Sequence, residues 1–122
     1  MTRRFLVGLL LAALVSGLAP QLGAAGVNLF NFGFEHPINE MRARVGSDVA
    51  LLGNIPPRDV LAAGTPEAVR MSVAAMKQAL GNDYSRVVFS CGGGLPPGVP
   101  TENLKAFLDE ALNHEPAIRA GK

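Results

Sequence analysis

After Gly26 the sequence alternates three times between a short apolar run and a longer segment with apolar residues every third or fourth position. The runs cover 27–32, 49–52 and 86–90. Each holds neighbouring apolar residues (Leu29 and Phe30, Leu51 and Leu52, Val87 to Phe89), as a strand buried on both faces does. The intervening segments carry Ile38, Met41 and Val45, then Val69, Val73, Met76 and Leu80, then Leu104, Phe107, Leu108, Ala111 and Leu112, each set marking one helix face. Strand and helix in strict alternation predict parallel pairing through right-handed crossovers, so the fold class is α/β. Three parallel strands leave two open edges, and a domain of this kind needs something to cover them.

The punctuation agrees with this layout. Thr65, Pro66 and Glu67 give an N-cap, a first-turn proline and an acidic residue at the positive end of a helix that Gly81 closes. Gly53 is expected to stop the second strand, residues 54–57 to form a loop, and 58–62 to make one helical turn ended by Gly64. Residues 82–85 read as a polar turn, and 101–113 as the last helix.

A chain of 122 residues holds one small domain. The net charge of +1, with only Arg3, Arg4, Arg42 and Arg44 as basic neighbours, argues against a nucleic-acid surface. A single cysteine, Cys91, excludes an internal disulfide framework, and two widely spaced histidines, His36 and His114, supply no self-contained zinc site. Residues 1–25 admit two readings. Arg3 and Arg4 before an uncharged run at 5–19, then Pro20 and the small residues Gly23, Ala24 and Ala25, have the layout of a secretory signal peptide cleaved after Ala25. The run is short for a bilayer span, and the same residues, with Leu14, Leu18, Leu22 and Ala25 on one side, suit a buried helix of a larger α/β protein. The chain therefore divides into an apolar segment at 1–25, a βα region at 26–116 and a tail at 117–122.

The chemistry concentrates behind the third strand. There, Gly92, Gly93 and Gly94 are followed by Leu95, Pro96, Pro97, Gly98, Val99 and Pro100 and then by a helix start. Bare backbone beside a helix N-terminus lets a carboxylate or phosphate approach the main chain. Asn54, at the end of the second strand, either orients a substrate through its amide or makes an Asx-turn before Pro56. Cys91, at the end of the third strand, reads as a small residue closing it. Asn31 points to the helices or away from them according to register, His36 is a turn or cap residue, and Glu102 complements a helix dipole.

Three blocks together carry a family resemblance. They are Gly26, Val27, Asn28, Leu29, Phe30, Asn31, Phe32, Gly33 and Phe34 with Arg42, Ala43, Arg44, Val45 and Gly46; Leu51, Leu52, Gly53, Asn54, Ile55, Pro56 and Pro57 with Gly64, Thr65, Pro66 and Glu67; and the glycine–proline loop through Thr101, Glu102 and Asn103. Over residues 20–113 the chain resembles the C-terminal third of the uroporphyrinogen decarboxylase superfamily, which also holds cobalamin-dependent methyltransferases acting on coenzyme M and related thiols. The resemblance implies the last three βα units of a (β/α)₈ TIM barrel, with the loops at 33–36, 54–57 and 91–100 on the catalytic face. It makes Phe34, Asn54, Gly92, Gly93 and Gly94 the candidate substrate-binding positions, for a porphyrinogen or a methyl-corrinoid and thiol.

Departures from the family pattern bear on activity. An aspartate usual at the end of the first of these strands is Gly33 here, and a histidine usual between two glycines is Gly93. The His-x-Cys pair that holds zinc in the methyltransferases is not in the chain, and Cys91 lies two residues before the aligned ligand position, Gly93. Zinc is then expected only in a complete relative, with Cys91 as its candidate ligand. The resemblance implies a cytoplasmic barrel segment, inactive alone and completed by a further chain or by self-association. The contrasting reading is a small exported binding domain.

Overall fold

A computed structural model describes residues 16–113. The first fifteen residues of the apolar segment, the tail at 117–122 and His114 lie outside the described residues.

Strand β1 (Leu29–Asn31), helix α1 (Ile38–Val45), strand β2 (Ala50–Ile55), helix α2 (Pro66–Ala79), strand β3 (Val87–Cys91) and helix α3 (Thr101–Asn113) follow in the expected alternation. The three strands form one sheet in the order β1-β2-β3, parallel throughout. Leu29 pairs with Ala50, Leu52 with Val88 and Asn54 with Ser90, so the sheet has two unlike faces. One carries Phe30, Leu51, Gly53, Ile55, Val87, Phe89 and Cys91 and lies under the helices. The other carries Leu29, Ala50, Leu52 and Val88 near the strand starts and Asn31, Asn54 and Ser90 toward their ends. No described helix covers this second face, and Leu29 and Val88 are 40% and 48% exposed.

The covered face builds the core. Phe30, Leu51, Ile55, Ile38, Met41, Val45, Val73 and Met76 form its centre. A smaller cluster of Leu61, Val69, Cys91 and Ala106 joins β3, α2 and α3. A short 3₁₀ helix at Ser16–Gln21 packs on α1 and places Ala19 and Leu22 in the main core, both essentially inaccessible. No described helix is long and apolar enough to cross a membrane.

Helix α2 starts as its sequence predicts, with the Thr65 hydroxyl accepting the Ala68 N–H at 3.1 Å and Gly81 in the left-handed region after its end (φ 63°). Three expectations are corrected. In the apolar segment a short 3₁₀ helix stands where a buried helix face was expected, and of that face Leu22 is buried whereas Leu18 is 47% exposed and Ala25 is exposed. Strand β2 does not stop at Gly53 but runs on through Asn54 and Ile55. An added Cβ at Gly53 would stand 3.1 Å from the Phe32 ring, close enough that the ring would have to shift by a few tenths of an ångström. The expected apolar stripe of α3 is also buried only in part: Ala106 and Asn103 are buried, whereas Leu108 and Leu112 are 52% and 73% exposed. The helix turns its Ala106 side to α2 and β3, and no described element packs over the two leucines.

The strand starts are tied by one side chain. Arg42 Nη1 donates to the carbonyls of Gly46 and Val49, each at 2.7 Å, and Nη2 to those of Arg86 (2.9 Å) and Ser85 (3.1 Å). Partial burial lowers the pKa of this guanidinium, with Asp83 opposing and Arg86 adding to the effect.

Candidate functional site

The loops leaving the three strands meet at one end of the sheet. The Gly92 N–H donates to the Ile55 carbonyl at 2.9 Å, carrying the glycine loop across the end of β2. The Gly93 N–H then reaches Asn31 Oδ1 at 3.4 Å. Asn54 Nδ2 donates to the His36 carbonyl at 2.6 Å and, more weakly, to that of Gly33 at 3.4 Å. Two asparagines on the uncovered face therefore hold the loop after β1 and the loop after β3.

The structure brings most of the sequence-predicted positions into this mouth. Asn54 uses its amide nitrogen as a brace for the first loop. Phe34 stands in that loop and is 47% exposed. The three glycines differ. Gly92 is buried because the chain after β1 lies against it, and a Cβ there would stand 2.8 Å from the Phe34 nitrogen and 3.2 Å from the Phe32 carbonyl oxygen. Gly93 is in the left-handed region (φ 87°), which favours glycine. Gly94 has open space where a side chain would be. Bare backbone open to a ligand is thus found at Gly93 and Gly94. Gly33, where the resemblance expects a carboxylate, has one beside it all the same: the Glu35 carboxylate lies in the space a side chain at Gly33 would take.

Cys91 is placed apart from this mouth. Its side chain is on the helix side of β3, buried with Leu61, Val69 and Ala106, and its thiol lies 3.9 Å from the Gly93 carbonyl oxygen. Among the described residues no three His, Cys, Asp or Glu side chains come together as a metal site would require. The described residues therefore do not fit zinc.

Sequence reasoning passed over two residues here. Asn103 is buried at the start of α3, and its Nδ2 donates to the carbonyls of Leu61 and Gly64, each at 2.8 Å. It fixes the single π-helical turn at Pro57–Ala62 to the helix that follows the glycine loop. Its place beside Glu102 at a helix start was visible, but its long-range partners were not. Arg58 is the other. It stands on that turn beside a cavity of about 410 Å³ whose remaining walls are Pro57, Ala62, Gly94, Leu95, Pro96 and Pro97. A second cavity, of about 370 Å³, lies at the opposite end of the sheet by Asn39, Arg42 and Arg86, where the Arg42 guanidinium already serves backbone carbonyls.

The family model for uroporphyrinogen decarboxylase (URO-D) matches residues 13–114. The chain belongs to the uroporphyrinogen decarboxylase family. The uroporphyrinogen decarboxylases of Paraburkholderia phytofirmans and Paraburkholderia xenovorans are each 34% identical over 101 residues, 83% of this chain. The chain spans about a quarter of their length, 27%. Among solved structures a methyltransferase from Methanosarcina mazei shares the fold, with a TM-score of 0.67 at 19% identity over 80% of this chain and 28% of that one. The family match begins at residue 13, inside the apolar segment, and reaches the end of α3.

Proposed function

We propose that this uroporphyrinogen decarboxylase-family chain forms the last three βα units of a (β/α)₈ barrel, and that its three strand-end loops supply one wall of a site for a carboxylated tetrapyrrole. The observation that carries the reading is the convergence of those loops at the C-terminal ends of parallel strands, where barrel sites are built. The uncovered sheet face supports it. Leu29, Leu52 and Val88 suit a packed barrel interior, and Asn31, Asn54 and Ser90 suit its polar mouth. The remaining units come from elsewhere, in the same polypeptide or in another chain, and catalysis needs them. Within this wall Asn31 and Asn54 set the loop positions, Gly93 and Gly94 let a ligand near the main chain, and Phe34 offers an apolar ring. A methyl-transferring relative would use the same wall for a different substrate.

The buried positions of Ala19 and Leu22 favour a retained N-terminal segment over one cleaved after Ala25, because cleavage would strip two side chains from the core. A cytoplasmic setting goes with that reading.

The test is complementation. The 122-residue chain is mixed with the Paraburkholderia phytofirmans enzyme lacking its matching segment, and complex formation and uroporphyrinogen decarboxylation are measured. A stable complex is expected, with no turnover by the chain alone. Turnover by the chain alone, or a stable lone monomer that ignores the truncated enzyme, overturns the proposal.

A further inference from the structure

The cavity beside Arg58 shares Gly94 with the positions the resemblance points to, but Arg58 itself is not among them. Its walls are Pro57 and Ala62 on the turn after β2, and Gly94, Leu95, Pro96 and Pro97 on the loop after β3. Among the described residues no carboxylate lines it. The Arg58 guanidinium has neither a hydrogen bond nor an ion pair among the described residues, and its neighbour Asp59 does not pair with it. A guanidinium left without an anion at the rim of an apolar pocket is short of a partner that is itself part apolar and part anionic. The pocket is also held in shape. Asn103 ties the turn carrying Arg58 to the helix behind the proline loop through Leu61 and Gly64, and the Ala63 N–H donates back to the Arg58 carbonyl at 2.9 Å. A fixed turn lowers the ordering cost of binding.

We infer that this pocket is an anion-anchoring subsite, in which Arg58 takes a carboxylate or phosphate oxygen pair and Leu95, Pro96, Pro97 and Pro57 hold the apolar body attached to it. The inference rests on the reading that the strand-end loops form the ligand face, and it adds a cation to a wall otherwise made of asparagines, glycines and an aromatic ring. With a cavity of about 410 Å³ the occupant is one ring or side arm of a ligand, not a whole tetrapyrrole.

The test uses the full chain, isotope-labelled, and three small probes: 3-phenylpropanoate, phenyl phosphate and the uncharged 3-phenylpropanamide. Binding is read from the Arg58 side-chain N–H and from the Gly94 and Leu95 amides. At least one of the two anions is expected to bind in the millimolar range and to shift all three signals, and the one that binds tells carboxylate from phosphate chemistry. The amide should bind about tenfold more weakly, and Arg58→Gln should cost the anion a similar factor, as loss of a charge-assisted hydrogen bond does. Arg58 is exposed, so that variant keeps the fold, and Arg58→Lys should recover part of the loss. Equal binding of anion and amide, anion binding indifferent to Arg58→Gln, or shifts elsewhere with none at Leu95 would each overturn the inference. Failure of complementation together with Arg58-dependent probe binding would remove the barrel reading and leave the subsite standing.

Discussion

Arg42 shows how much one side chain can decide. Its guanidinium donates to four main-chain carbonyls from two segments about forty residues apart, joining the entry of β2 to the turn before β3. Hydrogen bonds from a charged donor contribute more than neutral ones, so Arg42→Ala should lower unfolding stability by about 2–3 kcal/mol, measured by urea denaturation. Arg42→Lys should recover less than half, because one ammonium cannot fork toward both carbonyl pairs. Asp83 sits close by, and its pKa is lowered chiefly by the Ser85 hydroxyl, at 2.6 Å, and then by the Ser85 N–H, at 3.1 Å. A depressed folded pKa means that this turn's contribution is complete above the ordinary carboxylate range and is lost as pH falls through the lowered value. An NMR titration should therefore find the Asp83 midpoint below that of a free aspartate in the native chain, and moved upward in Ser85→Ala.

At the scale of elements, Asn103 couples two pieces that the sequence separates by about forty residues. Asn103→Ala would leave the Leu61 and Gly64 carbonyls without their donor at a buried junction. We expect a loss of about 2 kcal/mol and faster amide exchange across the Pro57–Ala62 turn, read by calorimetry and hydrogen exchange. The elements themselves were largely legible. Thr65 and Pro66 announce α2, the Pro100–Thr101 junction announces α3, and the apolar pairs mark the strands, because these signals act within a few residues. The length of β2 was not legible, since a glycine packed close to a neighbouring ring inside a strand looks in sequence like one that ends a strand. Nor was the exposure of Leu108 and Leu112, since helical spacing shows which residues share a face and not whether anything lies against it. The mouth was legible in outline. The glycine loop and Asn54 stood out, but Asn54's partners, the brace at Asn31 and the cavity at Arg58 depend on contacts between distant segments.

For the whole molecule, the decisive asymmetry is a sheet with helices on one side and nothing described on the other. The segment before β1 belongs to the covered side, where Ala19 and Leu22 complete the core. A chain beginning at Gly26 should therefore melt at a lower temperature than the full chain, with a loss of about 2–4 kcal/mol from the removed leucine and the cavity it leaves. Thermal and denaturant unfolding of the two chains would show it, and equal stability would count against the retained segment.

Gly92, Gly93 and Gly94 look interchangeable on the page and are not so in the molecule. A saturation library of this loop should separate them into three tolerance classes. The first admits nothing larger than hydrogen, because the neighbouring backbone occupies the place of any Cβ. The second admits asparagine best, which pays least for a positive φ. The third accepts alanine and gains about 0.5 kcal/mol from a less flexible unfolded chain. Read this way, a low-complexity triplet records a collision, a dihedral angle and an open doorway in three successive letters.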